Sequence, residues 1–178
     1  MNKLKGKKIA ILTEDGFEEI ELTSPKEALT EAGAEVFIIS PKVDVVKAKS
    51  GDEWSNEYPV DLTLNNANIQ AFDALVLPGG VINPDKLRTN KEAIGFIKSF
   101  NNSNKPLAAI CHGPQLLINA ELVNNKRMTS VEAIAIDLKN GGAKWEDSEV
   151  VVDGNLITSR TPEDLPAFNR AIIDALSS

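Results

Sequence analysis

Four short runs, at residues 9–13, 36–39, 74–78 and 106–110, are almost wholly apolar, and they set the strongest limit on what this chain can fold into. A strand with one wet face alternates polar and apolar residues. A run that is apolar throughout suits a strand covered on both faces, the condition of a parallel sheet between two layers of helices. Helix signals fall between the runs. Ser24-Pro25-Lys26-Glu27 offers Ser as N-cap, Pro at the first helical position and Glu at the third, and Gly33 ends that segment. Thr89 and Glu92 form a second capping box for a helix reaching about residue 100, and 114–120 forms a helix directly after the fourth run. Further on, 131–140 reads as a helix stopped by Gly141-Gly142, 150–158 as a hairpin around Asp153-Gly154, and 165–176 as a last helix. Residues 44–70 alternate weakly and suggest short extra strands and a loop. The alternation predicts an α/β three-layer sandwich, a mostly parallel sheet with helices on both faces, in one domain over 1–178.

Composition narrows the function. Lys and Arg number 19 against 26 Asp and Glu, a net charge of −7, so the basic footprint of a nucleic-acid binder is missing. No apolar run approaches the length that crosses a bilayer, so no membrane partner is expected. The basic residues of 1–8 lead into only five apolar residues before Glu14, too few for a signal-peptide core, which predicts a cytoplasmic protein. There is one Cys and one His, and they are neighbours, Cys111 and His112. A lone cysteine excludes an internal disulfide, a CxxC redox pair and a multi-cysteine zinc site, and it suits a reducing compartment. Neither a metal nor a cofactor is expected.

Ala108-Ala109-Ile110-Cys111-His112-Gly113-Pro114 sets the thiol where a buried strand turns into a helix, the arrangement of a nucleophile elbow with Cys in place of Ser. Gly113 permits close approach, Pro114 is pre-set for the first helical turn, and the helix dipole is expected to favour the thiolate. A buried structural cysteine is the competing reading of a lone thiol. Gly79 and Gly80, at the end of the third run, offer N–H donors for a developing oxyanion, with the His112 amide as a further donor. Five acids, Glu14, Asp15, Glu18, Glu19 and Glu21, lie within eight residues. One of them set against Cys111 in an apolar pocket would have a raised pKa and serve as general acid and base, and the spacing alone does not choose which.

Four segments, 16–25, 75–80, 109–114 and 157–162, together resemble the PfpI family of intracellular proteases, relatives of the Parkinson's-linked deglycases within the class I glutamine amidotransferase-like superfamily. The resemblance implies a flavodoxin-like sheet, Cys111 as nucleophile, Glu21 as the carboxyl against it and Gly79-Gly80 as part of the oxyanion site. It also implies a homo-oligomer, dimer or hexamer, and a peptide or small carbonyl substrate. The family's proteases combine the cysteine and adjacent histidine with an acid from a neighbouring subunit. The matching position is Asp85, where the proteases carry Glu. Glyoxalase and deglycase relatives need only the cysteine and the buried acid. Amidotransferase activity is excluded, since that reaction needs a histidine well downstream of the cysteine and none follows His112. The expected function is a stress-related, cysteine-dependent hydrolase in which Cys111 attacks a carbonyl and Glu21 shuttles the proton. The alternatives are a redox-sensing or chaperone-like protein with an oxidisable Cys111, and an oligomeric scaffold with a vestigial site. Trp54 and Trp145, each in a polar stretch, are candidate interface anchors or partly buried surface rings.

Overall fold

The structure, a computed structural model, describes residues 2–178. The first half runs β1 (Lys8–Leu12), β2 (Phe17–Glu18), α1 (Glu19–Glu31), β3 (Glu35–Ser40), β4 (Val45–Ser50), β5 (Glu53–Pro59), β6 (Leu62–Thr63), β7 (Ala74–Leu77) and α2 (Ile82–Leu87). The second half runs α3 (Lys91–Asn101), β8 (Leu107–Ile110), α4 (Gln115–Asn119), β9 (Arg127–Met128), α5 (Ala135–Asn140), β10 (Lys144–Trp145), β11 (Val150–Asp153), β12 (Leu156–Ser159) and α6 (Leu165–Ser177). The central sheet has the order β11-β12-β8-β7-β1-β3-β6, and every pairing in it is parallel except β11 with β12.

The four apolar runs became β1, β3, β7 and β8, and alternate residues of each serve opposite layers. Ile9, Ile11, Val76 and Ile110 pack with Leu22, Leu29, Phe168 and Ile172 of α1 and α6. Ala10, Leu12, Leu77 and Ala109 pack on the other face with Phe96, Phe100, Leu116 and Leu138 of α3, α4 and α5. Burying each large aliphatic side chain contributes about 1.5–3 kcal/mol, so a polar residue on either face of these strands is costly. The sequence therefore reads as apolar throughout. The hairpin is also present, with Asp153 opposite Leu156 across Gly154-Asn155.

Local signals misplaced several boundaries. The helix expected to start at Ser24 begins at Glu19, and Pro25 lies inside it. Pro25 has no N–H for the carbonyl of Glu21, the residue four positions before it, a defect that favours a start at Pro25. Tertiary contacts override it: Glu19 accepts hydrogen bonds from Tyr58 Oη (2.6 Å) and Asn56 Nδ2 (2.8 Å), and Glu21 and Leu22 are buried. Ser24 caps nothing, and its Oγ accepts from Asn169 Nδ2 at 2.9 Å. The cap of α3 is Asn90, whose Oδ1 accepts the Ala93 N–H at 3.0 Å, while the Thr89 hydroxyl donates to the Lys86 carbonyl. The 131–140 helix opens as a 3-10 turn, Glu132–Ile134, before α5. Four elements were unforeseen: α2 and the two-residue strands β2, β9 and β10, the last two paired with each other. Residues 44–70 fold mainly as a β4–β5 hairpin that pairs with β2. Trp145 is half-buried against the core and donates to Ser130 Oγ at 3.0 Å. Trp54 is half-exposed, with the Lys47 and Lys49 ammonium groups 5.5 and 5.6 Å from its ring.

Candidate active site

Because β8, β7 and β1 are neighbours, their carboxyl ends bring together segments far apart in sequence: Cys111 after β8, Gly79-Gly80 after β7, and the acidic turn after β1. They surround a cavity of about 490 Å³ whose lining includes Glu18, Glu21, Gly80, Cys111 and His112. Lys49 and Asp52, from the tip of the β4–β5 hairpin, and Pro162 complete one side.

Cys111 has φ +61°, the left-handed region that a non-glycine residue rarely occupies. The surroundings hold it there. Its N–H donates to the Ser159 carbonyl at 3.1 Å, and its own carbonyl accepts from the Val131 N–H at 3.1 Å. Gly113 must lack a side chain, since a Cβ there would lie 2.6 Å from the Leu77 carbonyl oxygen and 2.9 Å from that of Ile110. This is the strained strand-to-helix turn expected of an elbow.

The five acids separate cleanly by environment. Glu14 accepts the Asp15 N–H, Asp15 pairs with Lys42 Nζ at 2.7 Å, Glu18 accepts the Gly51 N–H, and Glu19 is held by Tyr58 and Asn56. Glu21 alone is fully buried. Its Oε2 accepts the Gly79 N–H at 2.7 Å, while Oε1 is buried without a hydrogen-bond partner. Burial pushes the Glu21 pKa from its ordinary 4.5 up to about 8, against the lowering effect of the Gly79 N–H and of Cys111. At neutral pH the carboxyl is therefore protonated.

The expectation that the helix end would favour the thiolate needs correcting. Burial is the largest influence and raises the Cys111 pKa; a charged Glu21 would raise it further, and the backbone N–H groups of His112 and Gly80 act the other way. Since α4 has only five residues, its dipole is a small counterweight. Protonation of Glu21 removes the neighbouring charge and leaves an O–H able to donate to the sulfur, which favours the thiolate. His112 is half-buried, its Nδ1 lies 3.4 Å from Cys111 Sγ, and burial lowers its pKa, so at pH 7 the ring is neutral.

Two of the residues singled out from sequence are not placed as expected. Gly79 adjoins the site, but its N–H is taken by Glu21, whereas those of Gly80 and His112 act on the Cys111 sulfur. A Cβ at Gly79 would lie 2.6 Å from Glu21 Oε2 and 2.8 Å from Cys111 Cβ, so its role is close approach. Asp85 is exposed on α2 and does not line the cavity of its own chain. One buried residue went unnoticed in the sequence: Asn83, whose side-chain amide touches both Pro78-Gly79 and the acidic turn. Its segment, Val81-Ile82-Asn83-Pro84-Asp85, carries no periodicity that would mark a buried amide.

A cysteine held in a left-handed elbow at the carboxyl edge of a parallel sheet, near a buried protonated carboxyl, defines a class of α/β proteins built around one thiol. The chain belongs to the DJ-1/PfpI family, whose model matches residues 7–175. It is 46% identical over 174 residues to "Protein/nucleic acid deglycase 2" of Escherichia coli, covering 97% of this chain and 99% of that one. It is also 46% identical over 167 residues to "General stress protein 18" of Bacillus subtilis, covering 93% and 95% of the two chains. Among solved structures, a two-domain protein of Anabaena variabilis with DJ-1/ThiJ/PfpI-like and ferritin-like domains matches with a TM-score of 0.89 and 41% identity. That match covers 96% of this chain and 48% of the other, so the chain corresponds to about half of the two-domain protein. Drosophila melanogaster DJ-1beta matches with a TM-score of 0.87 and 28% identity, over 96% and 90% of the chains.

Proposed function

We propose that the chain is a cysteine-dependent, stress-related hydrolase that removes reactive carbonyl adducts, a deglycase. The contact that carries this reading is Cys111 Sγ beside the neutral His112 ring at 3.4 Å, with the buried, protonated Glu21 carboxyl also acting on the thiol. The thiol proton passes to Nδ1 as Sγ adds to the carbonyl carbon, forming a C–S bond. The C=O π bond opens, and its oxygen takes up the negative charge, faces the N–H groups of Gly80 and His112, and receives the proton back from His112; the adduct's C–N bond then breaks, the amine leaving with the proton of the adjacent hydroxyl, and water cleaves the C–S bond to return the thiol. Glu21 keeps its proton throughout, so its O–H can turn to the sulfur as negative charge builds there, and His112 carries the thiol proton.

A carbonyl substrate fits the single chain better than a peptide, because the acid that would orient His112 for peptide cleavage, Asp85, lies outside the cavity. Peptide cleavage would need Asp85 supplied by another copy in a dimer or hexamer. The lone thiol suits a reducing, cytoplasmic setting. No described helix is long and apolar enough to cross a membrane. Turnover of methylglyoxal-modified amines and of an unstructured peptide by wild type and Cys111→Ala tests the reading. Adduct turnover lost in the variant supports it, and equal turnover by the two proteins overturns it. Selective peroxide oxidation of Cys111 with no carbonyl turnover supports the redox-sensor alternative instead.

A further inference from the structure

Asn83 is fully buried, and all its side-chain polar atoms are used. Nδ2 donates to the carbonyls of Pro78 and Gly79, both at 3.1 Å. Oδ1 accepts the Glu14 N–H at 2.7 Å, which fixes the orientation of the amide, since a flipped group would set donor against donor. The carbonyls it holds belong to the two peptide units whose N–H groups are those of Gly79 and Gly80. A trans peptide is planar, with C=O and N–H pointing in opposite directions, so anchoring the oxygen aims the hydrogen. The Gly79 N–H meets Glu21 Oε2 at 2.7 Å, and the Gly80 N–H acts on the Cys111 sulfur.

We propose that Asn83 is the positioning residue of this site: by holding the Pro78 and Gly79 carbonyls, it turns the next two N–H groups toward Glu21 and Cys111. Nothing else in the Gly79-Gly80 turn could do this from within, because glycine imposes no preference on the backbone and Gly80 sits at φ +77°. The bond to the Glu14 N–H ties the turn to the loop that leads into α1, so one amide sets the distance between the carboxyl and the elbow. The inference rests on the proposed role of Cys111, but its test does not require the substrate to be right.

The test is the pH dependence of Cys111 alkylation by iodoacetamide, in wild type, Asn83→Ala and Asn83→Asp. Asp keeps the shape and the acceptor for Glu14 but loses both donors. The other groups facing the thiol, Glu18, Glu21, Lys49, Asp52 and His112, are the same in all three proteins. Both variants are expected to raise the apparent thiol pKa by about one unit and to slow alkylation at pH 7 about tenfold, one unit being a factor of ten. On a carbonyl adduct, kcat should fall with KM nearly unchanged. A lower melting temperature with an unmoved alkylation midpoint makes Asn83 merely structural and overturns the proposal. Should neither variant fold, the Asn83 side-chain amide protons of the wild type are followed by NMR through the thiol titration. A shift with the same midpoint supports the proposal, and invariance overturns it. Failure of carbonyl turnover in the wild type alone would count against the deglycase reading and leave this result standing.

Discussion

Glu21 Oε2 accepts the N–H of Gly79 at 2.7 Å, and this bond joins the start of α1 to the turn after β7 beside Cys111. It is the main favourable contact of a carboxyl that burial drives toward its protonated form.

That contact has a pH signature. A carboxyl whose pKa is raised on folding from 4.5 to about 8 binds more protons in the folded state throughout that interval, so its contribution is fully present below 4.5 and is lost as pH rises toward 8. The slope is about 1.4 kcal/mol per pH unit. Glu21→Gln should remove it. Urea denaturation at pH 5.5 and 8.5 should show the variant gaining on the wild type by several kcal/mol at the higher pH. Parallel stabilities at the two values would contradict the assignment.

Activity should follow a bell. The falling alkaline limb lies near pH 8, where Glu21 loses its proton and the sulfur loses a donor. On the acid side, burial keeps His112 neutral below the usual imidazole range, so turnover should persist there. His112→Ala should lower kcat/KM about 10²-fold, as expected for loss of a positioned base, and abolish the acid limb. Steady-state rates from pH 5 to 9 decide both points, and an acid limb retained in the variant would remove His112 from the reaction.

Gly80→Ala would set a Cβ 2.5 Å from the Gly16 carbonyl oxygen and 2.7 Å from the Glu18 nitrogen, at a residue already at φ +77°. Both effects oppose folding, and overpacking of this kind costs about 1–3 kcal/mol. Thermal melts should show the loss, with adduct turnover falling more than stability because the N–H that faces the sulfur must move. Full turnover in a folded variant would place the oxyanion donors elsewhere.

Asn90→Ala is a control remote from the cavity. It deletes the side chain that accepts the Ala93 N–H at the start of α3 and should cost about 1 kcal/mol. Unfolding should report that loss while kcat/KM stays constant.

How far the sequence could be read depended on how local each signal was. The strands β1, β3, β7 and β8 are buried on both faces, which writes their position into four or five consecutive residues. The two-residue strands β2, β6, β9 and β10 have no room for a pattern. Ser24-Pro25 is a strong local start signal, yet contacts to Tyr58 and Asn56, remote in sequence, drew the helix back to Glu19. Cys111 and His112 stood out as the only residues of their kinds. Glu21 came from family resemblance, although one local clue exists: with Pro25 and Leu29 it forms a helical stripe of buried residues, an unusual place for an acid. Asn83 had no such mark, because its partners are carbonyls that every residue carries.

The placement of the site on β8, β7 and β1 also bears on how the chain acquires reactivity. These strands come from distant parts of the sequence, and parallel pairing across such distances forms slowly. Until all three are in register, Cys111 is an ordinary thiol with no carboxyl behind it and no turn in front. Selective reactivity therefore arrives only with the completed sheet, so nascent or half-folded copies should carry none of it, and its recovery during refolding should keep time with the last strand to pair.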